Sequence, residues 1–580
     1  MRFYLLTALA VATVQVSAVS NTSSHGDLNG WYPCYDFTFA DEGSSPGEDA
    51  ECALYIAPLC YPGICETPDN IESTKVEIFV KRMLATSGNP ETAPNVWLMQ
   101  GGPGYSSTAM ESTMVSLQQQ LEGAVNVYTM DHRGTGRSTL FNCVAAQVTT
   151  SGSPWGNDFI ASEVPTCAKD LQFKYGGDLA AFSVTSAATD LKTFIAKYTN
   201  GKSTIVYGVS YGTMLVERLI HLAPPAVTGY VLDSISTASG SQAAYYSDWD
   251  KNYGEIGDAF FELCDEDKSC KAHFQTKRLN DTVQALIDTF DKEPNSTCAA
   301  LISNVKSKGL DGLPSSSLRY TLGILLQDTN MRTLIPPVVY RLNRCASKDI
   351  NVLKKFVTTL TTSVLGGKSE DETYLSNLLF YLIIYSEMWE IPTPSKVEMK
   401  ARFINAKVSD DPTYPMDPVY CAFSKEKSKA CAEFGLSGYD ANPIMYKRDQ
   451  YWNKSATIPN QASVLLLSGK LDPQTHHKYA DALIHSLKGD NKELISFDYS
   501  PHGITSSTQM VAGDPNSEIC GMKLLLSYIQ SGGDLKKMDK SCVAKMPGFD
   551  LTIPPGHLHE LLGTDDAYEG VYKAPTRPSQ

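Results

Sequence analysis

The sequence predicts an α/β fold: a mostly parallel, doubly wound sheet interrupted by a large all-helical insertion. Two observations carry this. Residues 73–236 and 457–548 alternate short β-branched runs with helical patterns, as a parallel sheet and its covering helices require. Residues 237–456 between them lose the strand pattern and keep helical periodicity. A chain of 580 residues also exceeds the size at which one hydrophobic core keeps growing, which favours two substantial lobes.

The run Val76-Glu77-Ile78-Phe79-Val80 alternates and reads as an edge strand. The runs at 96–99, 125–128, 204–207, 230–232, 464–467 and 494–497 are mostly apolar throughout, as strands covered on both faces should be. In the insertion, Leu279, Val283, Leu286, Ile287 and Phe290 share one helical face, as do Leu353, Phe356, Val357 and Leu360. An independent helical domain is the rival reading, and the return of the strand-helix pattern after 463 argues against it. Residues 19–72 are rich in Cys, Pro and Asp and are expected to wrap the sheet edge, and residues 549–580 form a tail.

Composition narrows the classes. Apolar residues make up 42% and aromatics 10%, ordinary for a soluble globular protein. A formal net charge of −15 repels phosphate backbones and disfavours nucleic acid as a partner. Arg2, an apolar run at 3–14 and the small residues Val16-Ser17-Ala18 predict a signal peptide cleaved after Ala18. The rival, a membrane anchor, needs a longer run than this one, which Gln15 interrupts. The longest later apolar stretch, 378–385, suits only a buried helix. The expectation is a secreted, extracellular protein without a membrane partner. The 14 cysteines fit that compartment. Close spacings (Cys34, Cys52, Cys60 and Cys65; Cys143 and Cys167; Cys264 and Cys270; Cys421 and Cys431; Cys520 and Cys542) predict disulfides between neighbours. Zinc is disfavoured because no C-x-x-C pair occurs. Sequons at Asn21, Asn280, Asn295 and Asn453 are candidate glycan sites.

The chemistry centres on Gly208-Val209-Ser210-Tyr211-Gly212, set between a strand and an amphipathic helix. This is the G-x-S-x-G nucleophile elbow of the α/β-hydrolase fold, where a sharp turn presents a serine and its flanking glycines avoid collision. A serine hydroxyl needs a base and an oxyanion donor pair. Gln100-Gly101-Gly102-Pro103-Gly104 follows an earlier strand, so the N–H of Gly101 or Gly102, with that of Tyr211, is the expected oxyanion hole. The acid and base follow in chain order, each in a loop beyond a strand: Asp472 and His502. Asp233, which also ends a strand, is an alternative acid, whereas Asp498 stands too close to His502 in the chain. His476 and His477 read as surface residues at a helix start, and His557-Leu558-His559-Glu560 lacks a third metal ligand. Asp131-His132-Arg133-Gly134-Thr135-Gly136-Arg137-Ser138 lacks the third glycine of a dinucleotide fingerprint, so it implies no nicotinamide and reads as a structural loop supporting the oxyanion loop. No metal or organic cofactor is required.

Together these motifs resemble the secreted tripeptidyl and prolyl aminopeptidases among the α/β-hydrolase serine peptidases. The matching pieces are Q-G-G-P-G at 100–104, D-H-R-G-T-G-R-S at 131–138, Y-G-V-S-Y-G-T at 207–213, L-L-L-S-G-K-L-D-P at 465–473 and P-H-G at 501–503, with Glu51-Cys52-Ala53-Leu54 near the start. The resemblance implies removal of short pieces from a peptide's free N-terminus, with cap glutamates binding the ammonium. Glu387 and Glu390, in Ser386-Glu387-Met388-Trp389-Glu390, are the closest match to such an element; solvated helix-end acids are the rival reading. Gln100 stands where prolyl aminopeptidases often carry His, and Pro501 where many relatives carry Gly. The first departure weakens any claim to proline specificity. A secreted exopeptidase acting on peptides with a free N-terminus is the leading reading. The alternatives are a carboxylesterase or lipase, and a non-catalytic binding protein on a hydrolase scaffold.

Overall fold

A computed structural model describes residues 26–40, 42–45, 47–69, 71, 73–145, 160–240, 243–307, 309–366, 373–514 and 516–574. The expected signal peptide and the sequon at Asn21 lie outside the described residues.

Nine strands form one sheet: β1 (Tyr32–Cys34), β2 (Ala50–Pro58), β3 (Lys75–Met83), β4 (Asn95–Met99), β5 (Asn126–Met130), β6 (Thr204–Val209), β7 (Val227–Asp233), β8 (Ser463–Gly469) and β9 (Lys492–Phe497). Their spatial order is β1-β2-β3-β5-β4-β6-β7-β8-β9. The pairs from β1 to β5 are antiparallel, and every neighbouring pair from β5 to β9 is parallel. This is the α/β-hydrolase fold. β3 is not an edge strand, because β2 and β1 lie outside it; its alternation comes from exposed Lys75 and Glu77 at its start.

β4, β5 and β8 are buried along their whole length, which follows from helices on both faces. Neighbours along β4 serve opposite layers. Trp97 and Met99 join the core formed with α3 (Val184–Tyr198) and α4 (Tyr211–Leu222), preceded in the chain by α1 (Glu111–Gln120) and α2 (Val164–Tyr175). Val96 and Leu98 join Met114 and Leu117 of α1 and Leu524 and Leu525 on the other side.

Between β7 and β8 the described residues form helices and no strand. They divide between two cores. α5 (Trp249–Glu266) and the helices that follow, as far as Leu360, enclose a core of their own containing Tyr253, Phe260, Leu286, Leu322 and Phe356. The helix Asn377–Glu387 instead buries Leu379, Leu382 and Ile383 in the core of the sheet. Residues beyond 549 also pack inward, with Leu561 and Leu562 in the helical core. Arg341 Nε donates to Ala567 O at 2.5 Å. Seven disulfides join each described cysteine to its neighbour in the chain, including Cys298–Cys345, a pair the short spacings did not flag. Asn295 and Asn453 are exposed, and Asn280 is half-buried.

The loop after β5 is an electrostatic strut. Asp131 accepts the Ser107 N–H at 2.6 Å and Arg137 Nε at 2.8 Å, tying this loop to the segment just beyond residues 100–104. Arg133 is fully buried. Its guanidinium donates to both Asp190 oxygens at 2.7 Å, and also to Leu59 O at 2.7 Å and to Ala181 O. Removing one partner of such a pair strands a charge in the interior. Asp190→Ala is therefore expected to lower stability by about 3–5 kcal/mol, seen as a drop in the chemical-denaturation midpoint.

Candidate active site

β6 ends at Val209, Ser210 occupies φ 58°, ψ −129°, and α4 begins at Tyr211. A side chain at this positive φ costs about 1–3 kcal/mol, offset by the surrounding hydrogen bonds. The Ser210 N–H donates to Asp233 O at 2.9 Å, and Thr213 Oγ1 donates to Ser210 O at 2.6 Å. The flanking glycines are steric necessities. A Cβ on Gly208 would sit 2.5 Å from Gly212 O, and one on Gly212 would sit 2.5 Å from Met99 O.

The sheet register pairs Met99 with Gly208, so the loop after β4 lies against the elbow. A Cβ on Gly101 would fall 2.7 Å from Ser210 Cβ, and Gly102 has φ +118°. Among the described residues, the N–H groups of Gly101, Gly102 and Tyr211 have no protein acceptor. The Tyr211 N–H is additionally one of the free donors at a helix N-terminus.

Asp472 follows β8 and is wholly buried. It accepts the N–H groups of Gln474 and Thr475 at 2.9 Å and Thr475 Oγ1 at 2.6 Å. His502 Nδ1 donates to its Oδ2 at 2.9 Å. Burial pushes the Asp472 carboxyl up, but His502 and Thr475 outweigh it and hold it below the ordinary carboxylate value. Burial pulls His502 down, yet Asp472, and less strongly Asp233, leave it above its usual 6.5. Nδ1 is committed to Asp472, which leaves Nε2 as the proton acceptor. Ser210 and His502 line one cavity of about 490 Å³. No hydrogen bond joins them, a contact that in such sites often tightens only around the reacting substrate.

Gly101, Gly102 and Tyr211 line the same cavity. The insertion supplies Tyr246, Trp249, Phe380, Ile384 and Met388 to its wall. Three residues of that wall, Gln100, Ser236 and Tyr211, each carry a buried side-chain polar atom with no partner among the described residues.

Glu387 and Glu390 are not brought to this cavity. Glu387 is buried beside Arg218 at 3.5 Å and accepts Tyr446 OH at 3.2 Å. Glu390 pairs with Arg402 at 2.5 Å and accepts Ser247 Oγ at 2.7 Å. Each acid answers a buried or half-buried cation of its own, so neither is the solvated helix-end acid or the pocket acid. Asp233 does not contact the His502 ring; its carboxylate takes the N–H groups of Ile504 and Thr505. Asp498 is exposed and pairs with Lys470 at 2.7 Å. His476 is buried against Glu255 at 3.1 Å rather than at the surface. Thr475 escaped sequence reasoning, although a hydroxyl three residues after an acid at a loop apex is a recognisable side-chain turn.

No family profile and no curated protein matches this chain. Solved structures similar to it include mouse alpha/beta hydrolase domain-containing protein 10, at 8% identity and TM-score 0.29, covering 80% of this chain and 96% of that one. A Mycobacterium smegmatis proline iminopeptidase is similar at 11% identity and TM-score 0.28, covering 75% and 90%. A Paleococcus ferrophilus monoacylglycerol lipase is similar at 13% identity and TM-score 0.27, covering 76% and 96%. Scores this low carry no argument, so the fold rests on the strand order and register themselves.

Two outcomes are expected. Gly101→Ala drives a methyl into Ser210 and should lower kcat/KM at least about 10²-fold, the scale set by ångström misplacement of reacting groups, without loss of folding. A base held above 6.5 by Asp472 must be neutral to act, so activity should fall with decreasing pH on a limb centred above 6.5. Asp472→Asn removes that upward pull, moves the limb to lower pH and cuts kcat by about 10⁴; a pH-rate profile checks both.

Proposed function

We propose that this protein is a serine hydrolase that cleaves short peptides from their free N-terminus, a secreted exopeptidase of the tripeptidyl- or prolyl-aminopeptidase kind. The observation that carries the hydrolase reading is the hydrogen-bonded Asp472–His502 pair on a cavity shared with Ser210 and three free N–H groups. In this reading Ser210 Oγ attacks the scissile carbonyl while His502 Nε2 takes its proton. The oxyanion is held by the N–H of Tyr211 and that of Gly101 or Gly102. Asp472 fixes the tautomer and balances the imidazolium, which then protonates the leaving amine. Water, deprotonated by the same imidazole, releases the acyl group from Ser210.

The peptide reading draws on the cavity wall. Gln100 and Ser236 on the wall carry side-chain oxygens without partners among the described residues, and a peptide offers N–H and C=O groups of the kind that satisfy such atoms. An ammonium finds aromatic faces at Tyr246 and Trp249, stacked with centroids 4.8 Å apart. Trp249 Nε1 donates to the Asp410 carboxylate at 2.6 Å, which makes that indole a better cation partner. The attack from the amino end rests on the motif resemblance. The seven disulfides support an oxidising compartment.

A carboxylesterase is the second reading, favoured by one observation: among the described residues no carboxylate side chain lines the cavity. One assay separates the two. Free-amine tripeptidyl and prolyl reporters should turn over, the N-acetylated tripeptide should not, and short-chain esters should be weaker substrates. Equal cleavage of free and acetylated peptides would sink the exopeptidase reading. Ser210→Ala should lower turnover by on the order of 10⁶.

A further inference from the structure

We infer that the protein binds an oxyanion at Arg332, in a second cavity where the helical insertion, the C-terminal segment and the strand leading to His502 meet. Arg332 lies in the single turn Met331–Leu334 and is 3% exposed. Its Nε and Nη1 have no acceptor, and neither does the buried hydroxyl of neighbouring Thr329. Both residues line a cavity of about 270 Å³ closed by the end of β9, by Ser507 and by residues 546–548. It shares no wall residue with the Ser210 cavity.

Most other buried arginines of this chain are answered. Arg133 meets Asp190, Arg341 meets Asp349, and Arg218 meets Glu387 and Asp449; Arg319 donates to two backbone carbonyls. Arg332 has no carboxylate within 4.0 Å among the described residues. The acids around it are engaged elsewhere. Asp328 accepts the N–H groups of Asn330 and Met331 at 2.8 Å. Asp498 pairs with Lys470, and Asp550 Oδ1 takes the Thr552 N–H at 2.8 Å. The Phe549 ring, 6.0 Å away, offers a weak cation-π contact and no counter-charge. Burial pulls the guanidinium down to about 10, and Asp328 opposes that pull.

The chemistry of the ligand follows from the donors. Arg332 and Thr329 put an unpartnered guanidinium and hydroxyl on one cavity wall, and such donors recognise a carboxylate or phosphate through two or more oxygens. The cavity is large enough for either. Ser500, on its wall, precedes His502 by two residues, and its carbonyl accepts the Leu471 N–H at 3.2 Å. A bound oxyanion therefore joins the helical insertion to the loops that carry His502 and Asp472.

The test uses the full secreted chain in dilute Tris chloride. Inorganic phosphate and acetate are titrated separately by calorimetry, and thermal unfolding is followed at each concentration. Saturable one-site binding of phosphate, acetate or both, with a matching rise in Tm, is expected for the unaltered protein. Arg332→Met should abolish binding and, without added anion, melt above the parent, because a hydrophobe replaces an unpaired buried charge. Thr329→Val should weaken binding about tenfold, the value of one hydrogen bond to an ion, and keeps the test decisive if the arginine variant does not fold. Absence of saturable binding by both anions, or equal binding by the variants, overturns the site.

Discussion

The buried carboxylate at the end of β7 is the constraint on which the site depends. Asp233 offers its carbonyl to the Ser210 N–H at 2.9 Å. Its side chain accepts the N–H groups of Ile504 and Thr505 at 2.8 and 3.0 Å, Thr505 Oγ1 and Tyr207 OH. Ser234 Oγ takes the Gly503 N–H at 2.8 Å. One strand end thus ties the elbow after β6 to the turn that follows His502 after β9. Burial pushes this carboxyl up, and the backbone and hydroxyl donors oppose that pull. A group whose lone pairs are spent holding backbone is poorly placed to orient an imidazole. Division of labour results: Asp233 sets distances between loops, and Asp472 sets the tautomer of His502.

The same economy of buried charge runs through the oxyanion side. Lys81 pairs with Glu111, which also takes Arg137 at 3.2 Å, and Arg137 holds Asp131. Asp131 in turn grips Ser107, three residues beyond Gly104. Glycine gives the 100–104 loop its close approach to Ser210 but no rigidity of its own. The strut behind it supplies that rigidity, and its charges keep their cost low because each has a partner. Seen against these pairs, Arg332 stands out as a buried cation that no carboxylate among the described residues answers.

Much of the sheet was legible in the sequence because parallel strands covered on both faces must be apolar throughout, and six such runs correspond to β4 through β9, with the alternating run at β3. β1 and β2 were not, since cysteines, prolines and acids in residues 19–72 mask the alternation of Ala50–Pro58, and pairing with β3 is a long-range choice. The positions proposed for the triad read as loops after strands, and they lie in such loops. The cavity wall was not: Asn377–Glu387 is apolar on every side, so no periodicity tells which face meets the sheet. Glu387 and Glu390 misled for a related reason. An acid at a helix end reads the same whether it faces a ligand or an arginine, and Arg218 lies 169 residues from Glu387.

The two-core packing of the insertion decides how the cavity can respond to substrate. Trp249 opens the segment with its own core, whereas Tyr246, like Phe380, Ile384 and Met388, packs on the core of the sheet. No disulfide links these two bodies, because Cys264–Cys270 and Cys298–Cys345 lie within the first and Cys421–Cys431 within the second. Hydrogen bonds join them instead. Asn252 of α5 donates to Tyr479 OH at 2.9 Å and accepts Lys478 Nζ at 2.6 Å, on a helix whose Ala480 and Leu483 lie in the core of the sheet. The proposed triad is fixed by strands and a buried carboxylate, while Trp249 on the opposing wall belongs to a body held by contacts each worth on the order of 1–3 kcal/mol. Chemistry is therefore rigid and substrate fit adjustable, which follows from where the insertion leaves and rejoins the sheet.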